Sequence, residues 1–108
     1  MGAPANLLKD LRGFRRRLEA EVGPVRSLVL FGSQASGRAG LESDVDVLVV
    51  SPAFAGKTYL TRAAQAWDCW NLPHPVDFLC YTPDEFDRLR REASIVREAL
   101  KEGVEVEA

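Results

Sequence analysis

The run LVLFGSQASGRAGLESDVDVLVV, residues 28–50, decides how this chain is read. Two apolar stretches, one ending at Phe31 and one running from Val45 to Val50, enclose a small, polar, glycine-rich segment at 32–43. Short, nearly uninterrupted apolar runs of this kind read as buried strands. The second strand opens on Asp44 and Asp46. Residues two apart share a strand face, ~6.6–7 Å apart at Cα, so both carboxylates project together from an otherwise apolar strand. Unpaired, they repel each other and resist desolvation. Divalent cations remove that penalty, and an all-oxygen ligand set suits Mg²⁺. Gly32 and Ser33 leave the first strand where backbone can approach a ligand closely. Exposed N–H groups at such a turn make an anion nest, and the Ser33 hydroxyl adds a donor. A phosphate cradle beside a carboxylate pair describes a metal–nucleotide site.

Working outward, Leu7, Leu11, Phe14 and Leu18 recur at helical spacing and predict an amphipathic helix over 5–21, stopped by Gly23-Pro24. The first strand spans 25–31 and the second 44–50. After a turn at 51–56, Leu60, Ala63, Ala64, Trp67 and Trp70 mark a second long helix over 57–71. Pro73 and Pro75 bracket the start of a third strand, 76–81. Thr82-Pro83-Asp84-Glu85 is a helix start: Thr as N-cap, Pro at the first helical position, Glu closing a capping box. Phe86, Leu89, Ala93, Val96 and Leu100 carry that helix on to Gly103, and the acidic tail at 104–108 is frayed or a short edge strand.

The order is α-β-(loop)-β-α-β-α, an α/β (α+β) domain with a small mixed sheet of three or more strands. To bring Gly32-Ser33 beside Asp44 and Asp46, the first two strands must run antiparallel. The helix at 57–71 is long enough for a crossover, so the third strand lies parallel to the second. Its early residue Asp77, an odd acid in an apolar strand, then lands next to the Asp44/Asp46 pair. Three carboxylates and a phosphate loop at one sheet edge suit phosphoryl or nucleotidyl transfer.

At 108 residues the chain is expected to form one domain, 1–108, with one core. Fourteen basic residues against sixteen acidic give −2, which disfavours direct nucleic-acid binding. Eleven of the fourteen are Arg, a bias that GC-rich coding explains. No run approaches the ~20 apolar residues of a membrane span. Met1–Asn6 lacks a basic-then-apolar secretion signal, so the expected location is the cytoplasm. Cys69 and Cys80 sit apart with a single histidine, His74, leaving neither a disulfide framework nor a zinc set.

Gly32-Ser33, ten residues, then Asp44-Val45-Asp46 resembles the GS-x10-DxD signature of the DNA polymerase beta-like nucleotidyltransferases. With Leu30-Phe31 before it, Ser43 at its end and Leu48-Val49-Val50 after it, the chain looks like the minimal nucleotidyltransferase (MNT) branch. The resemblance runs on through Asp77 and Thr82–Phe86. It implies a nucleotidyltransferase that moves a nucleoside monophosphate, AMP from ATP in the first instance, onto a hydroxyl and releases pyrophosphate. It also implies two Mg²⁺ held by Asp44 and Asp46, with Asp77 as a further ligand and as base for the acceptor. Gly32 and Ser33 would hold the terminal phosphates. Where many members carry an arginine around the loop's second glycine, this chain has Ala35 and Ser36, with Arg38 just after Gly37. Arg38 is the candidate to supply that charge to the nucleotide. Proteins of this size in the family often partner a helical HEPN protein in toxin–antitoxin systems, and some adenylylate a tyrosine of that partner.

Two other readings stand beside this one. The first is a non-catalytic antitoxin that neutralises a helical partner by contact. The second is a transferase acting on a small hydroxylated compound, for which a second chain, in a homo- or hetero-oligomer, would supply the acceptor pocket. Ser51–Thr58 mimics a P-loop, but Ser51 replaces its first glycine, and Pro52 and Phe54 do not allow the wrapped backbone. Trp67 and Trp70 read as core. Arg12 and Arg15–Arg17 read as a solvated helix face.

Overall fold

The structure, a computed structural model, describes residues 5–36 and 44–107. Helix α1 (Ala5–Glu21) buries Leu7, Leu11, Phe14 and Leu18, the stripe its periodicity predicts. Each such side chain contributes about 1.5–3 kcal/mol by leaving water. Strand β1 (Ser27–Phe31) leads into a single turn of helix, α2 (Ser33–Ser36), and strand β2 spans Val45–Val50. Helix α3 (Tyr59–Asp68), strand β3 (Val76–Tyr81), helices α4 (Pro83–Leu89) and α5 (Ile95–Glu102), and strand β4 (Val104–Glu105) follow.

The sheet order is β3-β2-β1-β4. β1 pairs antiparallel with β2 and with β4, while β2 and β3 run parallel. This is the mixed sheet the placement of the acidic residues requires. The tail resolves in favour of an edge strand: Val106 is buried, and its N–H donates to the Leu28 carbonyl at 2.7 Å. On one face, Leu28, Leu30, Val45, Val47 and Phe78 meet α1 and α3. There Phe14 stacks on Phe78 at 5.6 Å and takes Trp70 edge-on at 5.0 Å. The opposite face, with Val29, Leu48 and Val50, is covered by Phe86 of α4 and Val96 of α5.

Four features differ from the sequence reading. The helix expected to run unbroken from Thr82 to Gly103 is two helices, because Ser94 caps the second. Its Oγ accepts from the Arg97 N–H at 3.2 Å and donates to the Leu89 carbonyl at 2.7 Å. A serine so placed offers the chain a new helix start in place of continuation.

The second difference is the orientation of α3. Its expected apolar stripe faces outward, with Leu60 82% and Trp67 52% exposed, while Arg62 and Ala66 are buried. Trp67 is therefore not core, although its ring meets Phe78 edge-on at 6.2 Å. The cause lies in what α3 covers. β3 is an edge strand, and its outward carbonyls need donors. The Tyr59 hydroxyl donates to the Phe78 carbonyl at 2.8 Å, and Arg62 Nη1 donates to the Cys80 carbonyl at 3.2 Å.

The third is Arg62 itself. It donates to both Glu85 carboxylate oxygens, at 2.6 and 3.3 Å, and to the Lys57 carbonyl at 3.0 Å. Glu85 also accepts from the Thr82 N–H at 2.8 Å, so the expected capping box is present and its carboxylate serves two purposes.

The fourth concerns α1. Arg15 donates to the Val106 and Val25 carbonyls, each at 2.8 Å, and Arg17 to the Cys69 carbonyl at 2.9 Å. Only Arg12 and Arg16 of that group stand exposed. At 51–56, Pro52–Phe54 form a 3-10 turn with Phe54 fully buried, which leaves no room for a phosphate cradle. Among the described residues, no helix is long and apolar enough to cross a membrane.

Candidate active site

The register of the sheet places the acidic residues. Asp46 lies opposite Phe31 across the antiparallel pair and opposite Asp77 across the parallel pair. Neighbouring strands stand ~4.8 Å apart. Asp46 shares its face with Leu48 and Val50, and Asp77 shares its face with Leu79 and Tyr81. Both carboxylates thus project from the face that α4 and α5 cover, just beyond the end of that cover. Asp44 stands exposed one residue before β2.

The electrostatics are those of uncompensated like charges. The Asp46 carboxyl is pushed above its ordinary value of 3.8, first by burial and then by the charges of Asp77 and Asp44. Among the described residues no cation pairs with any of the three. Nor are three or more His, Cys, Asp or Glu side chains drawn together into a cluster able to hold a metal ion as they stand. The strand register, not a closed ring of ligands, brings these carboxylates to one edge. Their chemistry fits a hard divalent cation: the donors are all oxygen, and beyond the effect of burial the neighbouring negative charges raise the Asp46 carboxyl further.

Gly32 makes the approach to Asp46 possible. It adopts φ +74°, left-handed backbone that favours glycine, and a Cβ built there would collide with the Asp46 carboxylate. The Ala35 N–H donates to the Gly32 carbonyl at 3.2 Å and starts α2, with Gln34 and Ala35 buried to anchor the turn. Ser33 stands exposed immediately after the glycine. Arg38 lies outside the described residues.

Sequence reasoning missed one wall of this region. A cavity of about 210 Å³ is lined by Phe31 and Gly32 on one side and by Ile95, Glu98, Ala99 and Glu102 of α5 on the other. Reading 83–102 as one helix hid it, because only the break before Ile95 brings α5 against the glycine turn. The signal available was Ser94 itself, a capping residue in the middle of a helical pattern. Trp70, by contrast, packs on the core, as its position in the pattern predicts. Trp70 Nε1 donates to the His74 carbonyl at 2.9 Å, and its ring is taken up by Phe14 and Phe78.

A glycine turn thus closes on Asp46, two residues after Asp44, with a third aspartate in register on a parallel neighbour. A model of the nucleotidyltransferase domain family matches residues 11–107, and the chain belongs to that family. The fold is similar to the crystal structure of a candidate nucleotidyltransferase from Sulfolobus solfataricus. The two share a TM-score of 0.62 and 22% sequence identity over 77% of this chain and 73% of the other. Among curated proteins, none matches.

Proposed function

We propose that the carboxylate edge is the catalytic centre of a Mg²⁺-dependent nucleotidyltransferase that moves AMP from ATP onto a hydroxyl. The acceptor in this reading is a tyrosine of a helical, HEPN-type toxin partner, which makes the chain an antitoxin. The observation that carries the reading is the register of Asp46 against Asp77, with Asp44 two residues earlier and the Gly32 turn closing on Asp46.

In the reaction, the acceptor oxygen attacks the α-phosphorus, and the bond from that phosphorus to the α–β bridging oxygen breaks. Pyrophosphate leaves with the bonding pair. Asp77 takes the proton from the attacking hydroxyl, and Gly32 and Ser33 hold the terminal phosphates through backbone N–H groups and the serine hydroxyl. Asp44, Asp46 and Asp77 are the residues that would hold two Mg²⁺, which when bound offset charge on the leaving pyrophosphate and lower the pKa of the acceptor. The Asp46 carboxyl, raised by burial and then by the charges of Asp77 and Asp44, supports this assignment, since a bound cation would relieve both.

The test uses lysate of the source cell, Mg²⁺ and each NTP labelled at the α-phosphate, followed by intact mass of labelled proteins. A gain of one AMP on a helical partner, lost in Asp44→Asn and Asp46→Asn, is the expected result. Transfer that survives both substitutions contradicts the assigned centre.

A further inference from the structure

A cavity of about 680 Å³ opens between α1 and the loop 71–73 that connects α3 to β3. Lys9, Arg12, Arg16 and Arg17 stand on its α1 wall against one carboxylate, Asp10. A chain of net charge −2 therefore gathers strong positive charge in one concavity. The side chains of Lys9, Arg12 and Arg16 make no hydrogen bond or ion pair among the described residues. Arg17 is fixed, since it donates to the Cys69 carbonyl at 2.9 Å and to Asn71 Oδ1 at 2.5 Å. Both of these acceptors are neutral.

Elsewhere in this protein, arginines with a structural role are held by acceptors: Arg15 Nη1 and Nη2 by two carbonyls, and Arg62 by Glu85. The side chains of Lys9, Arg12 and Arg16 are not. Like charges one helical turn apart destabilise a helix by about 0.2–0.5 kcal/mol per pair, a cost that an anionic occupant would reverse. Gly13, between Arg12 and Arg16, adds no side chain to the floor, and Leu72 and Pro73 give the opposite wall an apolar surface.

The groove's position links it to the carboxylate edge. From Pro73 to Asp77 is four residues, at most ~14 Å of extended chain. Between them, the Pro75 carbonyl accepts from the Val45 N–H at 2.8 Å, at the start of β2.

We propose that this groove docks an acidic segment of the protein acceptor. The proposal rests on the reading of the acceptor as a second protein chain. Guanidinium forks one helical turn apart suit carboxylates along a peptide, and Leu72 and Pro73 suit their aliphatic stems. Single-stranded nucleic acid is the poorer fit, because its bases stack on exposed aromatic rings and none lines the groove. The basic groove also offsets the repulsion an acidic partner meets from Asp44, Asp46 and Asp77, and steers its approach.

The test is fluorescence anisotropy on the full chain with two labelled probes of equal charge, a deca-glutamate peptide and a single-stranded oligouridine. The peptide is expected to bind at about 50 mM salt and to weaken steeply at about 300 mM. Arg12→Glu with Arg16→Glu lowers its affinity at least tenfold, Lys9→Gln lowers it about threefold, and circular dichroism is unchanged in both. Asp44→Asn with Asp46→Asn abolishes transfer and leaves peptide binding intact or tighter. No binding at low salt, binding indifferent to the charge reversals, or tighter binding of the oligouridine overturns the proposal. Peptide binding without transfer by the unaltered chain overturns the transferase reading alone. Transfer without peptide binding overturns the docking alone.

Discussion

The two ends of the β2–β3 pair treat charge in opposite ways. At the C-terminal end, Arg62 is buried and meets Glu85 at 2.6 Å, and the Glu85 carboxyl is held below its ordinary value by that hydrogen bond. At the N-terminal end, Asp44, Asp46 and Asp77 stand along one sheet edge with no cation paired to them among the described residues, and the Asp46 carboxyl is pushed up. The same sheet thus carries one completed charge pair and one row of carboxylates left without a cation among the described residues. The charge of Arg62 serves the fold and is neutralised by Glu85. Under the proposed function, the cation-bound nucleotide is what completes this end.

That contrast can be broken most severely at the incomplete end. Asp44→Asn or Asp46→Asn is expected to lower nucleotide transfer more than about a thousandfold while the protein stays folded, read by label transfer and circular dichroism. At the completed end the effect inverts. Glu85→Ala leaves Arg62 buried without its partner and removes the capping box, costing about 3 kcal/mol in urea unfolding, with transfer per folded molecule preserved. Its pH dependence has a fixed sign. Because the folded-state value lies below the ordinary 4.5, the advantage of the unaltered chain over Glu85→Ala is complete above that pH and erodes as pH falls beneath it.

Gly32→Ala joins the two criteria. The left-handed backbone costs ~1–2 kcal/mol with a side chain present, and displacing the Asp46 carboxylate lowers transfer about a hundredfold. The smallest effect is the most diagnostic of an incomplete site. Asp46→Asn is expected to raise the melting temperature at pH 7 in EDTA, since ionised Asp46 is disfavoured by burial and by its neighbours. The raised folded-state value means that this gain fades on acidification and vanishes below pH 3.8, where Asp46 is protonated in both states.

The incomplete end was the more legible in sequence. Asp44 and Asp46 are anomalies in an apolar strand, and chain geometry alone placed Asp77 beside them, in the register the sheet adopts. The completed end was hidden. Arg62 sits among residues whose apolar periodicity points the other way, because hydrophobic patterning assumes that a helix buries its greasiest face. α3 instead covers an edge strand, where the requirement is hydrogen-bond donors for Phe78 and Cys80, and Tyr59 and Arg62 supply them. The break before Ile95 was hidden for a similar reason. Phe86, Leu89, Val96 and Leu100 keep helical spacing across it, and only the Ser94 cap marks the interruption. Pattern reads burial well and polar satisfaction poorly.

The most direct test of the carboxylate edge needs no acceptor. Electron paramagnetic resonance of free Mn²⁺ is followed as the protein is added with a non-hydrolysable nucleoside triphosphate. The unaltered chain should remove Mn²⁺ from solution beyond what the nucleotide binds by itself, and Asp44→Asn with Asp46→Asn should abolish that uptake while Glu85→Gln leaves it intact. Equal uptake by the double aspartate variant and the unaltered chain would contradict the claim that these carboxylates hold the cation-bound nucleotide.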